Sequence, residues 1–445
     1  MEQNLSVDQS TLSKDTFSKT ATLAWAIFFT GILYYCFAYL LRVYPSVMEP
    51  QLLHHFHITA GSFGVLTSFY YFAYAPMQLP VGVSVDKIGP RRSMMIACTI
   101  SITGALLFSQ SDLYTIALVG RFLIGFGSAF AYVTALKLAT IWLPRRFFAT
   151  ATGAVTGMGM ISAIFTDIYL THIVETNGYQ HAMKFPLFIG LILFVLIIAI
   201  IRDKPKDKME NEDSMKRVRE TSALSFHELK EFLLTIMKNP QMWIIGAVGA
   251  LLYLPASVFL DVWAMPYLQF VYHLTPDDAA VGISIMLAGW ICSSFMTGAL
   301  SDILGRRRTP LLIGTFGAAT TAAFIVYVPN IPQAALYILL FILGAFCGPH
   351  PLCFTLSKEN YMQKISGTAI AFANFIIMMG GFIFQPVVGK LLDLVWVGTI
   401  QDGIRVYTPS NYMFALSIMP LGLLIAGVLS LFIKETYHKA VDRHS

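Results

Sequence analysis

Along this chain apolar residues gather in long runs separated by short polar breaks, with little of the two-residue alternation that marks a half-buried strand. Each run approaches the roughly 20 helical residues needed to cross a hydrocarbon layer of about 30 Å. The pattern predicts spans near residues 22–48, 63–85, 94–108, 113–138, 149–171 and 185–201, then 243–270, 281–300, 311–328, 335–356, 368–392 and 412–433. They are numbered spans 1 to 12 in chain order. The expectation is an all-α membrane protein of twelve transmembrane helices in two pseudo-symmetric six-helix bundles, 21–201 and 241–433, with polar tails at 1–20 and 434–445. The long polar stretch 202–240 opens with RDKPKDKMENEDSMKRVRE and reads as the linker between the bundles. Its signs nearly cancel, which favours a solvated connector over a nucleic-acid or lipid-binding arm. Within it, SFHELKEFLLTIM also fits a short amphipathic helix at the interface, with the connector as the preferred reading.

Composition excludes an ordinary soluble domain: 56% of residues are hydrophobic and 12% charged, against roughly 45–50% and 25% in soluble proteins. Lysine and arginine crowd the loops on one side, the linker's nine included, and leave Lys184, Lys390 and Arg405 on the other. That bias places both termini in the cytoplasm of a multi-pass cell-membrane protein. The five cysteines all fall inside spans and spell neither a disulfide framework nor a metal site. HHFH at 54–57 reads as a polar outer loop rather than a ligand cluster. No phosphate-binding G-x-x-x-x-G-K-[ST] loop or nucleophile elbow is present, so an enzyme is not expected, nor a metal or cofactor.

Two polar breaks repeat each other. VGVSVDKIGPRR at 81–92 and GALSDILGRRR at 298–308 place Gly82 and Gly298, Asp86 and Asp302, Gly89 and Gly305, Arg91 and Arg307, and Arg92 and Arg308 at a constant offset of 216 positions. Each copy falls on the turn after the second span of its bundle. There the glycines permit a tight turn and close helix approach, and the aspartate can meet a helix N-terminus and the following arginines. The pattern resembles the cytoplasmic-loop signature of the major facilitator superfamily, G-x-x-x-D-x-x-G-x-[RK]-[RK]. GRFLIGFGSAF, 120–130, resembles that family's R-x-x-x-G-x-G helix. YLLRVYPSVM, 39–48, resembles the D-R-x-x-x-S segment of its organic anion and sugar-acid symporters. The resemblance implies two bundles that rock about a midplane site, a gate at the repeated motif, and a solute carboxylate held at Arg42 and Arg121. Leu41 and Ser128 stand where those symporters carry carboxylates, so the proton must be carried elsewhere, or the carrier is a facilitator.

Residues three, four and seven apart share a helix face. Such stripes join Tyr35, Tyr39, Arg42 and Ser46 on span 1; Tyr71, Tyr74 and Gln78 on span 2; and Arg121, Gly125, Ser128 and Tyr132 on span 4. In the second bundle they join Tyr253, Ser257 and Asp261 on span 7, and Asn374, Met378, Gly381 and Gln385 on span 11. The candidate solute site is therefore Tyr39, Arg42, Tyr74, Gln78, Arg121, Ser128, Asn374 and Gln385. Arg42 has a second reading, snorkelling to the interface, and Arg121 another, pairing with helix carbonyls or Asp167 as structural glue. The coupling candidates are Asp261, Asp167 and His350. Asp261 leads, because the offset maps it to Pro45, one turn from Arg42. The expected protein is a monomeric secondary or facilitative transporter in a bacterial inner membrane. It takes up a small anionic or zwitterionic solute, with a co-transported proton and no nucleic-acid partner. An exporter of the same fold and a transporter-like sensor are the alternatives.

Overall fold

The computed structural model describes residues 6–144, 147–203, 226–328, 330–401 and 404–437. Among them, eleven helices are long and apolar enough to cross a bilayer: Thr22–Phe56, Pro90–Gln110, Tyr114–Trp142, Thr150–Asn177, Tyr179–Ile200, Pro240–Tyr272, Pro276–Leu304, Arg308–Tyr327, Gln333–Glu359, Ile365–Leu394 and Pro409–Ser430. These are spans 1 and 3 to 12. Span 2 departs from the uniform helix expected. It is two pieces, Ala60–Met77 and Val81–Ile88, with a turn between them that contains Pro80. Proline lacks the N–H that would continue the ladder, and Tyr70, Tyr71, Tyr74, Ser62 and Ser68 dilute the apolar run of the first piece.

Four other details correct the pattern reading. The first helix begins at Ser6, inside the predicted tail. HHFH closes a short helix, Glu49–Phe56, rather than lying in a loop, and His57 caps it in the left-handed conformation. Phe226–Met237 is helical, so this part of the linker is not a plain connector; its Ile236 is buried with Met242 of span 7 and Ala369 and Phe372 of span 11. The stretch 204–225 lies outside the described residues. Between spans 11 and 12 a small antiparallel ribbon pairs Ile400–Gln401 with Ile404–Arg405, the described exception to the all-α expectation.

Spans 1 to 6 pack mainly on one another, and so do spans 7 to 12; the bundles meet where span 2 lies along span 11 and span 5 along span 8. In a bilayer, where lipid is as apolar as leucine, close packing over small residues does much of this work. A side chain on Gly125 would run into the Tyr70 carbonyl, so this motif glycine seats span 4 against span 2. Across the bundles Phe63 meets the fully buried Trp263 edge to face at 5.9 Å. Residues 89–91, 142, 202–203, 241, 307, 359 and 432–437 gather at one end of the molecule, the terminal end. Residues 55–62, 111–114, 393 and 405–407 gather at the opposite, far end.

Candidate functional site

Span 1 ends its main helix at Val43, just before Pro45, which disfavours helical backbone in the residue that precedes it. Arg42 therefore sits on the last turn, 7% exposed, deep between the bundles. Opposite it span 7 loosens into wider π-helical turns over Pro255–Trp263, a local distortion that is frequent at functional sites. This segment carries Asp261. The Arg42 Nε donates to Asp261 Oδ2 at 2.8 Å, and its Nη2 donates to the Tyr253 hydroxyl at 2.9 Å. The Tyr71 hydroxyl donates to the same carboxylate oxygen. The rings of Tyr39, Tyr71 and Tyr253 lie 5.4, 5.1 and 5.6 Å from the guanidinium carbon, a cage suited to a cation.

A cavity of about 30 Å³ opens beside this pair, lined among others by Tyr39, Arg42, Asp167, Tyr253, Asp261 and Trp290. That is room for about two waters and no organic solute. Asp167 is 2% exposed, and its Oδ1 has no hydrogen-bond partner among the described residues. The site thus sets one guanidinium against two carboxylates, one paired and one not.

Of the sequence candidates, Tyr39, Arg42, Asp167 and Asp261 converge here; Tyr74, Gln78, Arg121, Ser128, Asn374, Gln385 and His350 do not line this cavity. Each has another setting. Arg121 reaches backbone carbonyls instead: Leu41 at 2.7 Å, Arg42 at 3.3 Å and Thr67 at 3.4 Å. That geometry matches the glue reading and holds the chain on either side of the Arg42 side chain. Asn374 donates to Gln78 at 3.0 Å, a second polar link between the bundles. Gln385 donates to the Ser257 carbonyl at 2.6 Å, satisfying backbone in the distorted part of span 7. His350 occupies the break between Gln333–Cys347 and Leu352–Glu359 and stacks on Tyr253 at 4.8 Å. Tyr74 stacks on Tyr70 at 5.4 Å, and Ser128 is buried. Trp290 was missed, because an isolated tryptophan on span 8 carries no periodic polar signal.

The repeated motif forms two similar but unequal clusters at the terminal end. Gly89 and Gly305 adopt positive φ, 91° and 58°, as the tight turns require. Gly82 and Gly298, expected at close helix contacts, have no described neighbour within 4 Å of a Cβ position. Asp86 pairs with Lys137 of span 4 at 2.6 Å, a partner the motif did not suggest. Arg91 offers its backbone N–H to Asp203 and its side chain to the Ile198 carbonyl, and Arg92 is exposed. In the second copy Arg307 bridges Asp302 at 2.7 Å and Glu359 at 3.1 Å, as the motif predicts for the aspartate. The backbone N–H groups of Arg307 and Arg308 donate to Glu435. Burial alone would push the Glu435 carboxyl up, but N–H bonds from Arg307, Arg308, Tyr437 and Thr436 outweigh it and hold it below its ordinary range.

Comparison with known proteins agrees with this architecture. The sequence model of the Major Facilitator Superfamily matches residues 23–386. The probable sulfoacetate transporter SauU of Cupriavidus necator is 22% identical over 374 residues, 81% of this chain and 85% of that protein. The citrate-proton symporter of Klebsiella pneumoniae is 24% identical over 334 residues, 70% of this chain and 71% of its own. Among solved structures, the nucleoside transporter NupG superposes with a TM-score of 0.70 at 15% identity, covering 92% of this chain and 99% of its own.

Proposed function

The chain belongs to the Major Facilitator Superfamily, and from that premise we propose that it carries a small organic anion across the membrane by alternating access, with Arg42 as the carboxylate-holding group. The observation that carries the reading is the buried Arg42–Asp261 pair, which joins the two bundles at the level of the cavity. An arginine this deep offers a planar fork of donors suited to a carboxylate, and Asp261 now occupies part of that fork. A proton on Asp261 cancels its hold on Arg42, and a solute carboxylate replaces it, so proton and anion bind together. Asp167 faces the same cavity and supplies a second place for the proton. Arg121 holds the backbone that presents Arg42 rather than touching solute. The solutes named for the two relatives, sulfoacetate and citrate, are both acids of this kind. The lysine and arginine bias sets the terminal end in the cytoplasm, and binding proton and anion together lets an inward proton gradient drive the solute inward, so the proposed direction is uptake.

Purified protein in liposomes tests this directly. Under an inward proton gradient, labelled citrate or sulfoacetate, or a carboxylate found by thermal-shift screening, is expected to accumulate, and the Arg42→Ala variant to accumulate none. Accumulation that survives Arg42→Ala would remove the assignment of the anion site.

A further inference from the structure

The far end of the molecule is held by a contact that the repeated motif does not explain. Span 2 begins at Ala60 with Thr59 as its cap residue, but the Thr59 hydroxyl makes no capping bond to its own helix. It donates instead to Asp393 Oδ2, at the end of span 11 in the other bundle, at 2.6 Å. The same oxygen accepts the Gly61 N–H at 2.9 Å. The Ala60 N–H donates to the Tyr407 hydroxyl at 3.1 Å, and that hydroxyl donates to Asp393 Oδ1 at 2.5 Å. The ribbon between spans 11 and 12 brings Arg405 to the carboxylate at 3.3 Å. A helix start leaves several N–H groups without partners, and here the opposite bundle supplies acceptors for two of them.

Steric fit reinforces the contact. A side chain on Gly389 would strike the Ala60 carbonyl, and one on Gly61 would come within 2.6 Å of Asp393 Oδ2. The backbones of spans 2 and 11 therefore touch at this end. Burial first, and then the bond to Asp393, hold the Tyr407 hydroxyl above its ordinary range.

We propose that Asp393 is the latch of the far-end gate: it caps span 2 from the opposite bundle only while that end is closed, and lets go when the bundles part. Its carboxylate positions the two bundles and does not contact solute. Release leaves Thr59 free to turn its hydroxyl back and cap span 2 itself, so the N–H groups are not stranded in the open state. The inference rests on the alternating-access reading but not on the identity of the solute or on the role of Arg42.

The test is a distance measurement on the full chain. Spin labels at Gln110→Cys and Ala334→Cys, in a background lacking the native cysteines, report the separation of the bundles at the far end without any solute. Asp393→Ala is expected to raise the ratio of open to closed populations by roughly two- to thirty-fold, the range one lost helix cap produces. Tyr407→Phe keeps the ring and is expected to shift the ratio in the same direction by less. Asp86→Asn breaks a pair with Lys137 that lies within one bundle at the terminal end, and is expected to leave the far-end ratio unchanged, which a general loss of stability would not do. An unchanged far-end distance in both Asp393→Ala and Tyr407→Phe overturns the latch. A shifted distance together with unaltered solute handling in Arg42→Ala keeps the latch and removes the solute site instead.

Discussion

Replacing Asp261 by asparagine separates the two tasks assigned to the central pair. The shape is kept, and Tyr71 still finds an oxygen, but the negative charge that competes for Arg42 is gone. In the structure that competition is one charge-assisted bond, Arg42 Nε to Asp261 Oδ2 at 2.8 Å, while Nη2 is engaged by a neutral hydroxyl. A bond of this kind contributes about 1.5–3 kcal/mol net, so its removal is expected to tighten carboxylate binding at alkaline pH by roughly 10- to 150-fold. In the proposed cycle the variant stands in for the proton-loaded carrier, so parent and variant are expected to converge in affinity once the parent has taken up its proton. The variant should exchange solute across liposomes yet fail to concentrate it under a proton gradient. Calorimetric titration of purified protein at acidic and alkaline pH measures the first effect, and gradient-driven uptake the second. Weaker binding by Asp261→Asn at every pH would refute the competition, because it would mean that the carboxylate helps to hold the solute. Accumulation by the variant would remove Asp261 as the proton site.

Arg121→Lys replaces a fork on three carbonyls by a single ammonium and is expected to cost about 2–4 kcal/mol of stability, with solute affinity of the folded protein little changed; loss of binding at unaltered melting temperature would return Arg121 to the solute site. Asp86→Asn and Asp302→Asn remove half-exposed pairs worth about 1 kcal/mol or less, and each is expected to slow transport while leaving the dissociation constant within about two-fold; a collapse of affinity at normal turnover would contradict a gating role. In intact cells, with native cysteines replaced, Asp277→Cys is expected to react with an impermeant thiol reagent and Lys358→Cys to be protected; the reverse pattern would invert the topology.

Much of the architecture could be read from run length alone, because a bilayer imposes one length on every helix that crosses it. Span 2 shows the limit: Tyr71, which brings it to the central pair, is one of the polar residues that weaken its apolar signal, and Pro80 breaks it. Helical spacing placed Arg42, Tyr71, Tyr253 and Asp261 on inward stripes, and the 216-residue offset set Asp261 against Arg42. Spacing could not tell which inward polar groups face the cavity and which satisfy backbone. Arg121 and Gln385 look like solute ligands by period, yet their donors go to carbonyls freed at helix ends and distortions. The Asp393 cluster was illegible for a different reason. It depends on a tertiary contact between a helix start and a loop ribbon, and neither partner carries a periodic pattern.

The edge contact between Phe63 and Trp263 turns the protein into its own optical instrument. Trp263 is fully buried against a ring of the other bundle, close to the far-end contact of spans 2 and 11, whereas Trp25 and Trp243 are exposed on the flanks. Indole emission shifts to longer wavelength when water reaches the ring. Parting of the bundles at this end would uncover Trp263 and leave the flanking tryptophans in their lipid surroundings. In a variant that keeps Trp263 as its single tryptophan, stopped-flow mixing with solute would report the rate at which the population opens, with no label attached.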